Sequence, residues 1–381
     1  MQPPSASKPN AGTAIVVGGS LSGLALAATL RRAGVGVTVV EQAWGEERGG
    51  TGLGVDRWLL GAVTGVDATD GSVVPPLPVV RTHRETSTWH QIHRWLQTVV
   101  ATMDGIDVRE GTRIDEAAQV NGRAVVRGVG LELEADVVVG ADGYRSVVRR
   151  AVDPANPIAR YGGFVLWRGL VDEAWLSEGE PFEGGRLPHL DTARLVMYRV
   201  PGRNGETRRG AGRVTFAWYD GSRTAWLREH RFLAVDDEVT SSVPFEVIQR
   251  DLQVELEHLA RTRWPRATAR VLLTALDRGV FFGTPLAQYL PAALANKSVA
   301  MVGDAAHVSS PMVGAGLANG LLDCLTLGQS ITQSGGVAGS RGVAALRSYE
   351  AVRLGPNRDH VEESMCSTSD LLRSVLRNRS A

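Results

Sequence analysis

The chain of 381 residues is 43% hydrophobic and 22% charged, the balance of an ordinary soluble globular protein long enough for two packed domains sharing a cleft. Lys plus Arg and Asp plus Glu number 41 each, so no basic field exists for nucleic acid or an anionic membrane, and neither is expected as a partner. Two cysteines, Cys324 and Cys366, are too few for a disulfide framework and lack metal-site spacing, which fits a reducing cytoplasm.

Residues 1–12 are polar and rich in Pro and Ser, and read as a disordered lead-in without the apolar stretch of a signal peptide. Ala14 to Leu30 is small and apolar, yet falls short of the ~20 residues a membrane span needs. Gly18, Gly19, Ser20, Leu21, Ser22 and Gly23 also interrupt it. A strand, a tight turn and a helix explain it better. Ala14–Val17 suits a strand buried on both faces, Gly23–Ala33 has helical composition with Gly34 as its cap, and Val37–Val40 is a second strand ending at Glu41. In such a βαβ unit the backbone N–H groups and positive helix end meet a pyrophosphate. A carboxylate roughly 20 residues beyond the glycines accepts hydrogen bonds from a ribose diol. Glu41 stands there, and its charge disfavours a 2′-phosphate. Ser20 occupies the third glycine position of the fingerprint.

Two further strands run into short acidic turns. Val137–Gly140 enters Ala141-Asp142-Gly143, followed by Tyr144 to Arg149. Ser298–Val302 enters Gly303-Asp304-Ala305-Ala306-His307, then Pro311 and Gly314-Ala315-Gly316-Leu317-Ala318-Asn319-Gly320, which opens a long apolar helix. Together the three motifs, in this order, resemble the class A FAD-dependent (aromatic) monooxygenases, the p-hydroxybenzoate hydroxylase-like family, over nearly the whole chain. Gly18 to Leu24, Gly49 to Val55 and Tyr161 to Gly169 look like its dihydroxypyridine hydroxylase branch. At the helix after the first crossover, Thr86 to Leu96, Trp89 replaces an Arg that many members carry.

The resemblance implies an α/β fold: a Rossmann-like FAD-binding domain with an inserted, mostly antiparallel substrate sheet and C-terminal helices. The expected FAD domain is discontinuous, over 13–75, 100–155 and 276–335. Residues 76–99 and 156–275 form the expected substrate domain, and 336–381 the closing helices. FAD is the implied cofactor, with NADH or NADPH as transient reductant. Asp304 is implied to hold a ribityl hydroxyl, and Gly314 to Asn319 to point a helix N-terminus at the flavin pyrimidine edge. Pro311 bends that loop. Asp142 and Gly143 are implied to serve the pyrophosphate region and the nicotinamide nucleotide. Gln42, Arg48 and Arg145 complete the implied cofactor contacts.

Between the second and third motifs the pattern turns to alternation. Phe164–Val171, Ala193–Val200 and Gly212–Tyr219 read as strands, Phe245–Leu259 as an amphipathic helix stopped before Trp264-Pro265. Leu346–His360, kinked by Pro356, and Val361–Arg377 read as two closing helices. Trp167, Tyr198 and Trp218 are the expected pocket-lining aromatics, since flat substrates suit aromatic walls; ordinary core packing is the competing reading. Tyr198, Trp218 and His307 are the candidates for a catalytic part. His90 and His93 share a helix face without a third ligand, so no metal is expected.

The function so implied is a hydroxylase using NAD(P)H and O₂ through a flavin C4a-hydroperoxide to insert one oxygen atom into a small aromatic or heteroaromatic substrate. The alternatives are an epoxidase, Baeyer–Villiger or N-hydroxylating enzyme of the same fold, or a flavoprotein reductase or cyclase without oxygenation. A monomer or homodimer is expected.

Overall fold

The computed structural model describes residues 11–43, 51–81, 84–176, 189–190, 193–312 and 314–377. The chain opens with β1 (Thr13–Val17), α1 (Leu21–Arg32) and β2 (Gly36–Val40), then β3 (Gly52–Gly54), α2 (Arg57–Thr64), β4 (Val80–Arg81), β5 (Glu85–Thr88), α3 (Trp89–Ala101) and β6 (Ile106–Arg109). A meander of β7 (Glu116–Val120), β8 (Arg123–Gly128) and β9 (Leu131–Ala135) leads into β10 (Val137–Gly140) and α4 (Arg149–Val152). Next come β11 (Arg160–Asp172), β12 (His189–Leu190), β13 (Ala193–Val200), β14 (Arg213–Asp220), α5 (Thr224–Glu229), α6 (Arg250–Arg263) and α7 (Arg266–Asp277). The chain ends with β15 (Phe281–Gln288), β16 (Ala295–Asn296), β17 (Val299–Met301), α8 (Gly316–Gln333) and α9 (Ser340–Arg377).

Six strands form one sheet in the order β16-β17-β10-β1-β2-β6, with β17, β10, β1, β2 and β6 parallel. Valines fill β1, β2 and β10 because both faces of this sheet are covered. Gly34, at φ +85°, ends α1 in the left-handed region that a side chain would strain, and its N–H bonds Arg31 O. Parallel pairing brings the C-terminal ends of β1, β2, β10 and β17 to one edge, where a doubly wound sheet binds ligands.

The second sheet, β12-β13-β14-β11-β15, is antiparallel and has two unlike faces. Val165, Trp167, Val171, Leu195, Met197, Phe216 and Trp218 point to one side, where Leu252 and Leu256 of α6 and Val271 and Leu272 of α7 seal them into a core. Phe164, Leu166, Tyr219 and Leu286 point to the other and pack on Met312 of the loop before α8. This second side, the inner face, meets β3 at Gly52, whose N–H donates to Thr215 Oγ1 and whose carbonyl accepts from the Tyr198 hydroxyl.

Several expectations change. Ala11 and Gly12 are inside the fold, not in a lead-in: Val337 N–H bonds Ala11 O and Gly36 N–H bonds Gly12 O. Helix α3 was expected in the substrate domain, but Ile92, Trp95, Leu96 and Val99 join the core of the parallel sheet. β15 was expected in the FAD domain, but pairs with β11 in the antiparallel sheet. The helix expected over 245–259 begins at Arg250; residues 245–247 form a separate short 3₁₀ turn after Pro244. The two closing helices are one, with Pro356 inside it. Pro356 is on the solvent face, where water can take the carbonyl its ring leaves unbonded, while Arg353, Asn357, His360, Ser364 and Thr368 continue the buried stripe on both sides. Among the described residues no helix is long and apolar enough to cross a membrane.

Candidate cofactor and substrate site

The three motifs meet at the C-terminal edge of the parallel sheet. Gly18, at φ +102°, lies against the second motif so closely that a Cβ would stand 2.4 Å from Ala141 O. A Cβ on Gly23 would stand 1.8 Å from Gly18 O, so the entry of α1 is drawn onto the turn. Ser22 joins the first motif to the third: its Oγ would be 2.5 Å from a Cβ on Gly303 and 2.7 Å from one on Gly320. Cys324 of α8 donates its S–H to Ser22 O at 3.4 Å. Ser20 makes no side-chain cap and α1 has no acidic residue in its first turn, so its amino end is open to an anion. This cradle fits a pyrophosphate.

Glu41 is buried at the end of β2. Its Oε2 accepts from Gly19 N at 2.7 Å and its Oε1 from Ala43 N at 2.8 Å, so the carboxylate braces the turn from the side where a ribose would lie. His93 Nε2 is 2.9 Å from Gly19 O, and its ring stacks on Trp89 at 4.5 Å. The residue replacing the family Arg thus stacks beside the phosphate turn through a histidine. Gln42 and Arg145 are exposed, and Arg48 lies outside the described residues.

Asp142 Oδ2 accepts from Val147 N at 2.7 Å and Val148 N at 3.3 Å, while Oδ1 is buried with no partner. Burial pushes this carboxyl up, against the pull of the Ser146 hydroxyl and those N–H groups. Asp304 has an exposed side chain, yet surrounding protein pushes its carboxyl up too, with His307 and Arg149 opposing. A group that solvent reaches and protein surrounds stands on the wall of a deep cleft. Residues 315–319, the entry of α8, are half-exposed along the same wall, with Pro311 and Gly314 exposed beside them.

Arg149 ties the second motif to the third. It is fully buried: Nε donates to Ala305 O at 3.0 Å, Nη2 to Asp304 O at 2.9 Å and Nη1 to Tyr144 O at 2.9 Å, and the guanidinium lies 4.1 Å from the Tyr289 ring centroid. Behind the third motif, Asp323 of α8 is the hub of a buried polar network. It accepts from Gly303 N at 3.0 Å, His307 Nε2 at 2.8 Å, Arg353 Nε at 2.8 Å and Asn357 Nδ2 at 3.0 Å. Burial alone would raise its carboxyl, but His307 and Arg353 outweigh that and hold it below the usual range. His307 is therefore a bracket between the acidic turn and α8, buried away from the cleft, and not a candidate for direct catalysis.

The aromatics separate by face. Tyr198 is on the inner face and donates its hydroxyl to Gly52 O at 2.7 Å. Trp167 and Trp218 are on the helix-covered face and do not line the cleft: Trp167 Nε1 donates to Asp220 Oδ2 at 3.1 Å and stacks on Phe281, and Trp218 meets Trp264 edge-on. Pairing of β13 with β14 sets Tyr198 opposite Thr215 and Leu195 opposite Trp218, so Tyr198 and Trp218 cannot share a wall. The inner-face groups that reasoning from sequence passed over are Arg168, Arg194 and Tyr219. Arg168 is adjacent to Trp167, and strict alternation was the one signal that could have exposed it.

Known proteins bear on this geometry. The model of a family described as FAD binding domain matches residues 247–364. A 2,6-dihydroxypyridine 3-monooxygenase of Paenarthrobacter nicotinovorans is 28% identical over 372 residues, covering 89% of this chain and 86% of that protein. An aurachin C monooxygenase/isomerase of Stigmatella aurantiaca is 32% identical over 191 residues, covering 44% of this chain; the match spans about half (48%) of that relative. In fold, the chain is similar to the structure of 2,6-dihydroxypyridine-3-hydroxylase from Arthrobacter nicotinovorans, with a TM-score of 0.76 and 23% identity, over 96% of this chain and 93% of that one.

Proposed function

Starting from the chain's place among the class A FAD-dependent hydroxylases, we propose that it uses NADH or NADPH and O₂ to place one oxygen atom on a small, planar aromatic or heteroaromatic substrate. The observation that carries this reading is the meeting of the three motifs through Gly18, Ser22, Gly303 and Arg149 into one cradle. FAD, when bound, supplies the two-electron store that the nicotinamide nucleotide fills and O₂ empties. The balance is substrate, O₂, NAD(P)H and a proton giving hydroxylated substrate, NAD(P)⁺ and water.

The chain's own residues bind and orient. The open amino end of α1 would hold the pyrophosphate, Glu41 the ribose and Asp304 a ribityl hydroxyl of bound FAD. The entry of α8 would offer its N–H groups and positive helix end to the bound flavin, an interaction worth up to about 1 kcal/mol from the dipole alone with an anion. Arg149 holds the carbonyls of Tyr144, Asp304 and Ala305, so the two acidic turns keep their spacing. The antiparallel sheet roofs the site and excludes water. Burial pushes Tyr198 and Tyr219 up to about 12, so both stay protonated and act as donors at neutral pH. From Leu166 to Leu170, Arg194 to Tyr198 and Thr215 to Tyr219 the strands hold no carboxylate or imidazole to serve as a base.

The test is anaerobic mixing of the FAD-loaded protein with NADH and then NADPH, followed by turnover under ¹⁸O₂ with hydroxylated pyridines and benzoates. Loss of flavin colour, quickened by a substrate, with one labelled atom in the product is expected. Peroxide as the sole product with every compound would overturn the reading.

A further inference from the structure

The entry of α8 is held from behind by a residue that none of the three motifs contains. Arg353, on the buried stripe of α9, spreads its guanidinium over three side chains. Nε donates to Asp323 Oδ1 at 2.8 Å. Nη2 donates to Asn357 Oδ1 at 2.7 Å and to the side-chain and backbone oxygens of Asn319 at 3.3 and 3.5 Å. Asn357 Nδ2 closes the ring on the same Asp323 oxygen at 3.0 Å, while the other Asp323 oxygen accepts from Gly303 N and His307 Nε2. One ion pair thus ties the third acidic turn to the first turn of α8. The N–H of Asn319 makes a backbone bond to Ala315 O at 2.9 Å, and the N–H groups of Gly316, Leu317 and Ala318 ahead of it have no place in the helix's own ladder.

The chemistry of the pair decides which way the Asn319 amide turns. A guanidinium has donors only, so the amide can meet it only with oxygen, and Nδ2 with its two hydrogens is turned the other way. The Arg353 side of Asn319 is closed, yet Asn319 itself is half-exposed, so solvent reaches it from the opposite side. A Cβ on Gly316 would meet nothing within 4 Å, which leaves open space at this helix end. Among the described residues no acceptor meets Asn319 Nδ2.

We propose that Arg353 is a positioning residue: by holding Asn319 Oδ1 it aims the Asn319 NH₂ into the cleft, where that group joins the open N–H groups of α8 as a donor to bound FAD. This rests on the cofactor reading of the site and deepens it. A hydrogen bond to an ionised acceptor is roughly twice as strong as one between neutral partners, so the aimed donor favours the electron-rich, reduced flavin over the oxidised one. Arg353 thereby sets how readily the flavin accepts a hydride without touching it. Lysine cannot replace it: an ammonium at Asp323 is a point charge, with no rigid second arm for Asn319.

The FAD-loaded protein is compared with Arg353→Lys, Asn319→Ala, the double variant and Asn319→Asp. Flavin midpoint potentials are read by anaerobic photoreduction against reference dyes, with thermal stability measured alongside. Asn319→Ala is expected to lower the preference for reduced over oxidised FAD roughly tenfold, a fall of about 30 mV for a two-electron couple. Arg353→Lys lowers it in the same direction and adds nothing in the double variant, because its effect runs through the amide. Asn319→Asp keeps an oxygen for Arg353 and replaces only the NH₂ group, so its stability holds while its potential falls further than that of Asn319→Ala. An unchanged potential in either Asn319 variant, or an Arg353→Lys effect that persists in full without the amide, overturns the proposal. If Arg353→Lys does not fold, Asn319→Asp decides alone: a potential that moves only together with stability reduces Arg353 to a structural brace. These potentials need neither substrate nor O₂, so bleaching by NADH or NADPH and labelled product test the hydroxylase reading separately.

Discussion

The two faces of the antiparallel sheet come from the same strands and have opposite chemistry. On the outer face Trp167, Phe216, Phe281 and Trp218 interlock under α6 and α7, and the buried Trp167 N–H has a carboxylate partner in Asp220. On the inner face, one residue along each strand, Arg168, Arg194 and Tyr219 keep donors without acceptors. The contrast is one of degree, since Trp264 Nε1 in the outer core is also buried without a partner. The larger aromatics serve stability here, and the charged groups are on the opposite face.

The largest effect should come from breaking the satisfied side. Trp167→Ala is expected to cost about 3–5 kcal/mol of stability by denaturant titration, with FAD still retained by the folded fraction. Loss of ligand binding with unaltered stability would reverse the assignment of faces.

Asp323→Asn comes next, at about 3 kcal/mol, because it removes the charge that Arg353 and His307 share in a dry network. Asp323 braces the third motif through Gly303 N, so FAD retention should fall with it. Its carboxyl is held below its ordinary value of 3.8 in the folded state, so its contribution is present above that pH and lost as pH falls below it. The acid limb of the stability profile should be shallower in the variant than in the wild type.

Tyr198 and Tyr219 are raised from 10.0 to about 12, which gives an alkaline effect of ~1–2 kcal/mol each. Their contribution is complete below pH 10, where unfolded tyrosine keeps its proton, and is lost as pH rises from there through about 12. Thermal melts between about pH 9 and about pH 12, the window set by linkage, should show Tyr219→Phe losing less than the wild type.

Tyr219→Phe at neutral pH should be the smallest change, within about 1 kcal/mol of the wild type and with a gain permitted, because an unpartnered buried hydroxyl is removed. A loss as large as that of Trp167→Ala would mean that the hydroxyl already has a partner, and the contrast between faces would fail.

Much of the parallel-sheet half was legible in advance. Short valine runs, glycines at the turn after β1, and an acidic residue just past β2, β10 and β17 are local requirements, so local residues declare them. The inner face was harder to read. Alternation sorts Trp167 from Arg168 but does not say which of them faces the cofactor, and a one-residue change of view exchanges every side chain. Pro356 was misleading for a related reason: proline's cost within a helix depends on whether the freed carbonyl faces water, a matter of packing.

The sequence by itself determined the α/β class, the order of the three motifs, the cofactor they suit and three of the five strands of the antiparallel sheet, β11, β13 and β14, because each rests on residues near one another in the chain. Only the tertiary structure decided that Trp167 and Trp218 are core, that Arg149 and Asp323 brace the acidic turns, and that Arg168, Arg194 and Tyr219 share a face on which, among the described residues, neither arginine closes on a carboxylate. The physical reason is that a buried charge is defined by what surrounds it. Its neighbours arrive from β13, β14 and the loop before α8, and no local pattern records whether they bring a counter-charge or leave a place for one.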